Sequence, residues 1–375
     1  MNEVILEARG LKKHFKVKSS FLSPPSLVKA VDGVSLEVHR GETFAIVGES
    51  GCGKSTLARL LMHLLSPTEG KVFFEGVDVV QRSGEDLTSL RKDVQFVFQD
   101  PFSSLNPRMT VGKLVGEPLE VHRQDLSAAE RGEKVKQLLE QVGLQGDHAN
   151  RYPHEFSGGQ RQRIGIARAL ASGPKLIIGD EPVSALDVSV QAQIVNLLSD
   201  LRDELSLTFI VIAHDLSIIR HMSDRVAVMY LGQIVEMGPA EEVFSNPRHP
   251  YTIALLSAVP EPKVGQQKPL VPLMGETPGP SASIPGCQFN NRCRFARDIC
   301  RQSPPKHSVF GEQGQHKVAC HFEQGASNQT KHNSLSGANT RSPQVETRFQ
   351  LYQAALHGKK AVPKHPNAIE QEELT

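Results

Sequence analysis

The sequence predicts an α/β fold built on buried strands that alternate with helices. A glycine-rich loop at residues 48–56 follows a five-residue apolar run and precedes leucines at helical spacing. Further short apolar runs at residues 94–98, 176–179 and 209–213 each end in polar side chains. Short apolar runs separated by helical segments are typical of strands buried in a parallel sheet. The 375 residues suffice for one large domain or two smaller ones.

The glycine-rich loop has the pattern of a phosphate-binding loop. Its sequence GESGCGKST matches a glycine, four residues, a second glycine, a lysine and a serine or threonine. Lys54 supplies a charge for the β- and γ-phosphates, Ser55 a hydroxyl for Mg²⁺, and Thr56 a donor toward the α-phosphate. A glycine-rich turn without a ligand is the alternative. The predicted nucleotide-binding residues are Gly48, Glu49, Ser50, Gly51, Cys52, Gly53, Lys54, Ser55 and Thr56.

Polar side chains follow three predicted strands, at the carboxyl ends where α/β sheets bind ligands. Gln99 can coordinate Mg²⁺ or orient a water, and Asp180 can hold Mg²⁺ through its water shell. Glu181 can accept a proton from an attacking water, and His214 lies beside the same site. When each is taken alone, Gln99 is better explained as a polar residue that ends a strand, and His214 as a structural histidine.

A second helix start has glycines and a capping serine. Ser157 is a good N-cap in the segment FSGGQRQR, and the glycines after it expose backbone N–H groups that can face an anion. Taken alone, this segment is better explained as an ordinary capped helix.

The remaining elements follow in chain order. Strands are predicted at residues 4–6, 34–38 and 70–76, with a loop at 18–29. Phe15, upstream of that loop, either stacks on an adenine ring or packs in the core. A helical subdomain is predicted at about residues 101–172. A hairpin is predicted at residues 225–237.

Beyond Pro239 the alternation of strand and helix ends. Residues 241–323 are predicted to form a proline-rich extension with four cysteines, and 324–375 a disordered tail with a short helix near residues 349–356.

Composition excludes several classes of function. The net charge of +1 gives no indication of a polyanion partner, and the absence of tryptophan and the few aromatic residues argue against a stacking surface for single-stranded nucleic acid. No run approaches the roughly 18 apolar residues that cross a bilayer. Five cysteines, one of them in the loop, do not indicate a disulfide framework. A cytosolic protein is expected.

The order of these motifs resembles the ATP-binding cassette (ABC) ATPases over about residues 1–240. The resemblance implies a phosphate-loop NTPase with a RecA-like mixed sheet core, an antiparallel β subdomain and an inserted helical subdomain. Gln99 is then the Q-loop glutamine, Asp180 the Mg²⁺ aspartate and Glu181 the catalytic base, while Asp187 is the D-loop aspartate and His214 the switch histidine. Ser157, Gly158, Gly159 and Gln160 bind the γ-phosphate of an ATP held by a second subunit.

Two positions depart from the pattern of that family. Phe156 stands where leucine is more usual, and Gly179 interrupts an apolar strand, where it is expected to weaken packing.

Residues 246–260 and 99–107 resemble the oligopeptide/dipeptide permease branch. The implied partners are a second, related ATPase subunit that forms a heterodimer with this chain, two membrane permease subunits and an external solute-binding protein. The permease subunits would dock near residues 102–111. Nucleic acid is not an implied partner. The chain would then work peripherally on the cytoplasmic face of the membrane. Glutathione, nickel complexes and opines remain alternative solutes.

Cys287, Cys293, Cys300 and Cys320 can hold a 4Fe–4S cluster or a zinc ion. Their spacing fits neither the common zinc ribbon nor the bacterial ferredoxin pattern. The resemblance implies a cluster, and thiols packed in an apolar segment without a ligand are the alternative.

Two other classes of function fit the sequence less well. A cassette ATPase that acts on ribosomes or DNA would need two cassettes or a long coiled coil, and the chain has neither. A metal-binding regulator would not need a catalytic base such as Glu181.

Overall fold

The computed structural model describes residues 3–17, 26–81, 84–184, 186–259, 271, 273–279, 282, 284–311 and 314–322. The predicted tail after residue 324 and its helix lie outside the described residues. So do residues 18–25 of the predicted loop and Ala185 of the turn before Asp187.

The described strands are β1 (Val4–Val17), β2 (Ser26–His39), β3 (Thr43–Val47), β4 (Glu69–Phe74), β5 (Val77–Asp78), β6 (Val94–Val97), β7 (Leu176–Asp180), β8 (Thr208–Ala213), β9 (Arg225–Tyr230), β10 (Gln233–Pro239), β11 (His307–Phe310) and β12 (His316–Ala319). The described helices are α1 (Lys54–Leu61), α2 (Glu85–Asp93), α3 (Pro101–Ser104), α4 (Val111–His122), α5 (Ala128–Gln141), α6 (Gly158–Leu170), α7 (Val188–Leu205), α8 (Leu216–Met222), α9 (Ala240–Ser245), α10 (Pro250–Ser257) and α11 (Asp298–Gln302).

The strands form two sheets. The larger has the order β11-β12-β10-β9-β3-β8-β7-β6, and its five strands from β9 to β6 are parallel. The smaller is antiparallel, with the order β2-β1-β4-β5. The predicted α/β class with a mixed core sheet and an antiparallel β part is confirmed.

The larger sheet is covered on both faces. On β3, Phe44 and Ile46 pack in one apolar cluster with the antiparallel sheet and α1. Ala45 and Val47 point the other way, into a cluster that includes buried residues of α4, α5 and α6. Because β3 is buried on both faces, the loop that follows it starts from a fixed position.

Helices dominate residues 101–170, where α3 to α6 pack on one another and on the sheet. The domain boundaries proposed from the sequence at residues 240 and 323 stay predictions. Among the described residues, no helix combines the length and apolar character that crossing a membrane requires.

Two expectations need correction. β1 and β2 are 14 residues each, much longer than predicted, because they pair along their length through several register shifts. As a result Ser26 to Lys29, predicted as loop, belongs to β2. The extension also adds strands to the main sheet, since β12 pairs with β10 at Glu236 and Val318.

Gly179 of β7 lies against the turn that follows the strand. A Cβ atom at this position would lie 3.2 Å from the ring of Pro182, a close contact. The expected weakening of the packing by this glycine stays a prediction.

Candidate functional site

The phosphate loop connects β3 to the first turn of α1, as predicted. Gly48 and Gly53 have φ angles of 153° and 109°. A Cβ on Gly48 would lie 2.2 Å from the carbonyl oxygen of Met229, and one on Gly53 would lie 2.0 Å from that of Ala30. Both positions therefore require glycine for backbone conformation and for space.

Lys54 is buried at the start of α1, and its ammonium group is held over the loop. Its Nζ atom donates hydrogen bonds of 2.8 Å to the carbonyl of Gly48 and 2.9 Å to that of Glu49. An ammonium fixed beside a helix N-terminus adds a full charge to the partial charges of the exposed N–H groups.

Ser55 and Asp180 meet across the site. The Ser55 hydroxyl donates a 2.9 Å hydrogen bond to Oδ1 of Asp180, and Asp180 is only 5% exposed. Burial, together with the charge of Glu181, raises the pKa of Asp180, although the bond from Ser55 and the charge of Lys54 act against this. A hydroxyl beside a buried carboxylate is a pair of oxygen ligands of the kind that Mg²⁺ takes in proteins.

Two of the predicted catalytic side chains, those of Gln99 and His214, contact one carboxylate oxygen of the third, Glu181. Oε2 of Glu181 accepts a 2.7 Å hydrogen bond from the Gln99 amide and lies 3.2 Å from Nδ1 of His214. Glu181 has a φ of 49°, and its N–H donates to the carbonyl of Ile212 on the neighbouring strand. Non-glycine residues in this conformation are uncommon, and they occur at functional sites where the surroundings hold them in place.

A cavity of about 290 Å³ lies over the loop and reaches this carboxylate. Among the predicted site residues, Ser50 to Thr56, Gln99 and Glu181 line it. It is also lined by residues that the sequence did not single out: Val28, Lys29, Ala30, Asp32, Leu231, Gly232, Gly279, Ala282, Ile284 and Gln288. The last four belong to the extension, where no recognisable motif drew attention to them.

Phe15 lies on β1 and does not line this cavity. Its pairing partner on β2 is Val28, which does, and its ring is 37% exposed with Lys13 Nζ 5.3 Å from the ring centre. Stacking of adenine on Phe15 stays a prediction.

The second helix start has the predicted cap. The Ser157 hydroxyl accepts from the Gln160 N–H, and the Gln160 side chain accepts from the Ser157 N–H. A Cβ at Gly159 would lie 2.5 Å from Val190, so a glycine lets α6 approach α7. Asp187 is the N-cap residue of that helix and makes no side-chain cap bond. Ser157 to Gln160 do not line the cavity over the phosphate loop.

The four cysteines of the extension line a second, much smaller cavity. Its wall consists of His249, Pro250, Cys287, Phe289, Asn290, Cys293, Phe295, Cys300, Cys320, His321 and Phe322. Within the described residues, none of the four cysteines forms a disulfide. Burial raises the pKa of Cys287, and raises that of Cys293 to about 11. The donors fit a thiolate-bound group in kind, but within the described residues no three His, Cys, Asp or Glu side chains are arranged to hold a metal ion.

Comparison with known families places two regions of the chain. Residues 31–184 match the family model described as ABC transporter. Residues 235–300 match the model of the oligopeptide/dipeptide transporter C-terminal region.

Curated relatives match over most of their length. The oligopeptide transport ATP-binding protein AppF of Bacillus subtilis is 52% identical over 324 residues, which cover 85% of this chain and 98% of the relative. The chain belongs to the ABC transporter family. OppF of Salmonella typhimurium is 50% identical over 85% of this chain and 96% of its own length, and the dipeptide transport protein DppF of Haemophilus influenzae is 50% identical over 81% and 93%.

Solved structures of ABC proteins have the same fold. The dimeric ATP-binding cassette MJ0796 bound to ADP and Pi is 31% identical with a TM-score of 0.56, and the match covers 63% of this chain and 98% of that one. CbiO1 of Clostridium perfringens, part of a transporter complex, is 30% identical with a TM-score of 0.56, over 65% and 91%. The chain is an ATP-hydrolysing member of the family, which works with ATP and Mg²⁺.

Proposed function

We propose that this ABC ATPase energises an importer of di- and oligopeptides. The observation that carries the proposal is the convergence of Gln99, Glu181 and His214 beside a phosphate loop. The peptide solute is supported by the names of the relatives and by the match of residues 235–300.

Glu181 is the proposed general base. It accepts a proton from water as the water oxygen bonds to the γ-phosphorus. The bond from that phosphorus to the β–γ bridging oxygen breaks, and ADP leaves with its electron pair. Gln99 and His214 hold the carboxylate through contacts to Oε2 and orient the water. Ser55, Asp180 and Gln99 would hold Mg²⁺, which supplies positive charge to the phosphates when bound.

The site is proposed to need a second ATPase subunit, and we favour a related chain over a second copy. The helix start at Ser157 lies outside the cavity, although its capped N-terminus suits an anion. Ser157 and Gly159 of one subunit would then complete the phosphate site of the other. ATP drives closure of the pair because its γ-phosphate is bound from both subunits only in the closed form, which therefore binds ATP more tightly.

Two membrane permease subunits and an external binding protein complete the proposed importer, with this chain on the cytoplasmic face of the membrane. The docking surface is proposed at residues 102–111. Phe102 is 59% exposed, and the Arg161 guanidinium lies 4.1 Å from its ring centre.

Uptake of a labelled oligopeptide by cells that lack other peptide importers tests this function. Deleting the gene is expected to abolish uptake, and the intact chain, but not a Lys54→Ala chain, is expected to restore it. Unchanged uptake in the deletion strain, with uptake of nickel or glutathione lost instead, would assign a different solute.

We also propose that Cys287, Cys293, Cys300 and Cys320 hold a 4Fe–4S cluster, with zinc as the alternative. The support is that all four cysteines line one cavity, although the described side chains are not arranged to hold a metal ion. Anaerobically purified protein is expected to be brown and to contain about four iron and four labile sulfide per chain. The double change Cys287→Ser/Cys293→Ser should remove the iron, whereas Cys52→Ser should not. Colourless protein free of iron and zinc would end this proposal.

A further inference from the structure

The extension forms several hydrogen bonds with one residue of the phosphate loop, Glu49. Nη1 and Nη2 of Arg292 donate to the two carboxylate oxygens of Glu49 at 2.7 and 3.1 Å. The hydroxyl of Thr277 donates to Oε2 of Glu49 at 3.1 Å, and the hydroxyl of Tyr251 accepts the Glu49 N–H at 2.9 Å. Three separate segments of the extension therefore hold one loop residue.

Contacts outside the phosphate loop also hold the Arg292 side chain in place. Its side chain is 6% exposed, its Nε donates to the carbonyl of Met274, and its Nη1 lies 3.5 Å from the Tyr230 hydroxyl. Tyr230 packs in turn against Tyr251 and Phe289. A guanidinium group that is already held on several sides loses little side-chain entropy when it pairs with a carboxylate.

A carboxylate in a phosphate-binding loop has the same sign of charge as the ligand. Burial acts to raise the pKa of Glu49, but the hydrogen bonds and charge of Arg292, helped by Thr277 and Lys54, outweigh it and lower the pKa. Glu49 is therefore ionised at neutral pH. Its charge needs a neutralising partner, because repulsion at close range in a partly buried site is not screened by water.

We propose that the extension is part of the nucleotide site, with Arg292 as a positioning residue that neutralises Glu49 and thereby sets the affinity of the phosphate loop for anionic nucleotides. The cavity wall supports the same conclusion, since Gly279, Ala282, Ile284 and Gln288 of the extension line the same cavity as the phosphate loop. The inference rests on the proposed binding of ATP in this cavity.

Nucleotide affinity of single and double variants tests the inference. Arg292→Gln is expected to weaken ATP binding roughly tenfold through unbalanced repulsion, with a smaller loss for ADP because it has less charge. Arg292→Lys keeps the charge and should retain most of the affinity. Arg292→Gln/Glu49→Gln removes both charges and should recover most of the loss. Arg301→Gln, an exposed arginine of the same region, is the control.

Glu49→Gln alone keeps the test decisive even if Arg292→Gln unfolds. It leaves the charge of Arg292 unbalanced next to the phosphate loop, so the variant is expected to bind ATP more tightly than the natural chain. Weaker or unchanged ATP binding by this variant, or a double variant no better than Arg292→Gln, would overturn the inference. Failure of the natural chain to bind ATP at all would instead reject the proposed function.

Discussion

Replacing Glu181 with glutamine is expected to lower ATP turnover by about 10²–10⁴-fold, while ATP still binds. The amide keeps the shape of the carboxylate and can still accept the Gln99 hydrogen bond, but it cannot take a proton from water. Steady-state phosphate release and nucleotide binding, measured on the same preparation of the chain with its companion ATPase subunit, separate the two effects.

The matched control for this change is Glu204→Gln, an exposed carboxylate at the end of α7. It should hydrolyse ATP at the rate of the natural chain. Normal turnover in the Glu181 variant would remove that residue from the role of base, and would leave Asp180 as the remaining carboxylate at the strand end.

Replacing Lys54 with alanine is expected to weaken ATP binding by about 3 kcal/mol, roughly a hundredfold, because a charge-assisted hydrogen bond to the phosphates is lost. The residue is 5% exposed, and its ammonium group holds two loop carbonyls. Titration with a fluorescent ATP analogue gives the dissociation constant.

Lys134→Ala on the exposed face of α5 is the control for the loss of a lysine. A urea unfolding curve shows whether the Lys54 variant stays folded, since the two carbonyls lose their donor. A folded Lys54→Ala chain that binds ATP as tightly as the natural one would contradict the assigned phosphate site.

Local patterns were sufficient to predict the core of the site. The loop sequence fixes a turn between β3 and α1, and the polar residues after β6, β7 and β8 lie at one edge because parallel strands end there together. The mutual contacts of Gln99, Glu181 and His214 follow from that edge. Their roles in catalysis remain predictions from the family.

The contacts between the extension and the phosphate loop could not be predicted in the same way. Arg292 and Glu49 are 243 positions apart, and neither belongs to a pattern that requires the other. The lengths of β1 and β2 were also missed, because bulges interrupt the alternation of buried and exposed residues along them. The effect of Gly179 could not be predicted from the sequence either, because it depends on where the turn after β7 places the ring of Pro182.

The most direct test of the mechanism is the mass in solution of the Glu181→Gln chain mixed with its companion ATPase subunit. With ATP and Mg²⁺ the mixture is expected to form a stable one-to-one pair, because the site closes on ATP and cannot hydrolyse it. With ADP the subunits should separate. Subunits that stay apart in ATP, or that pair equally well in ADP, would contradict a site completed by two chains.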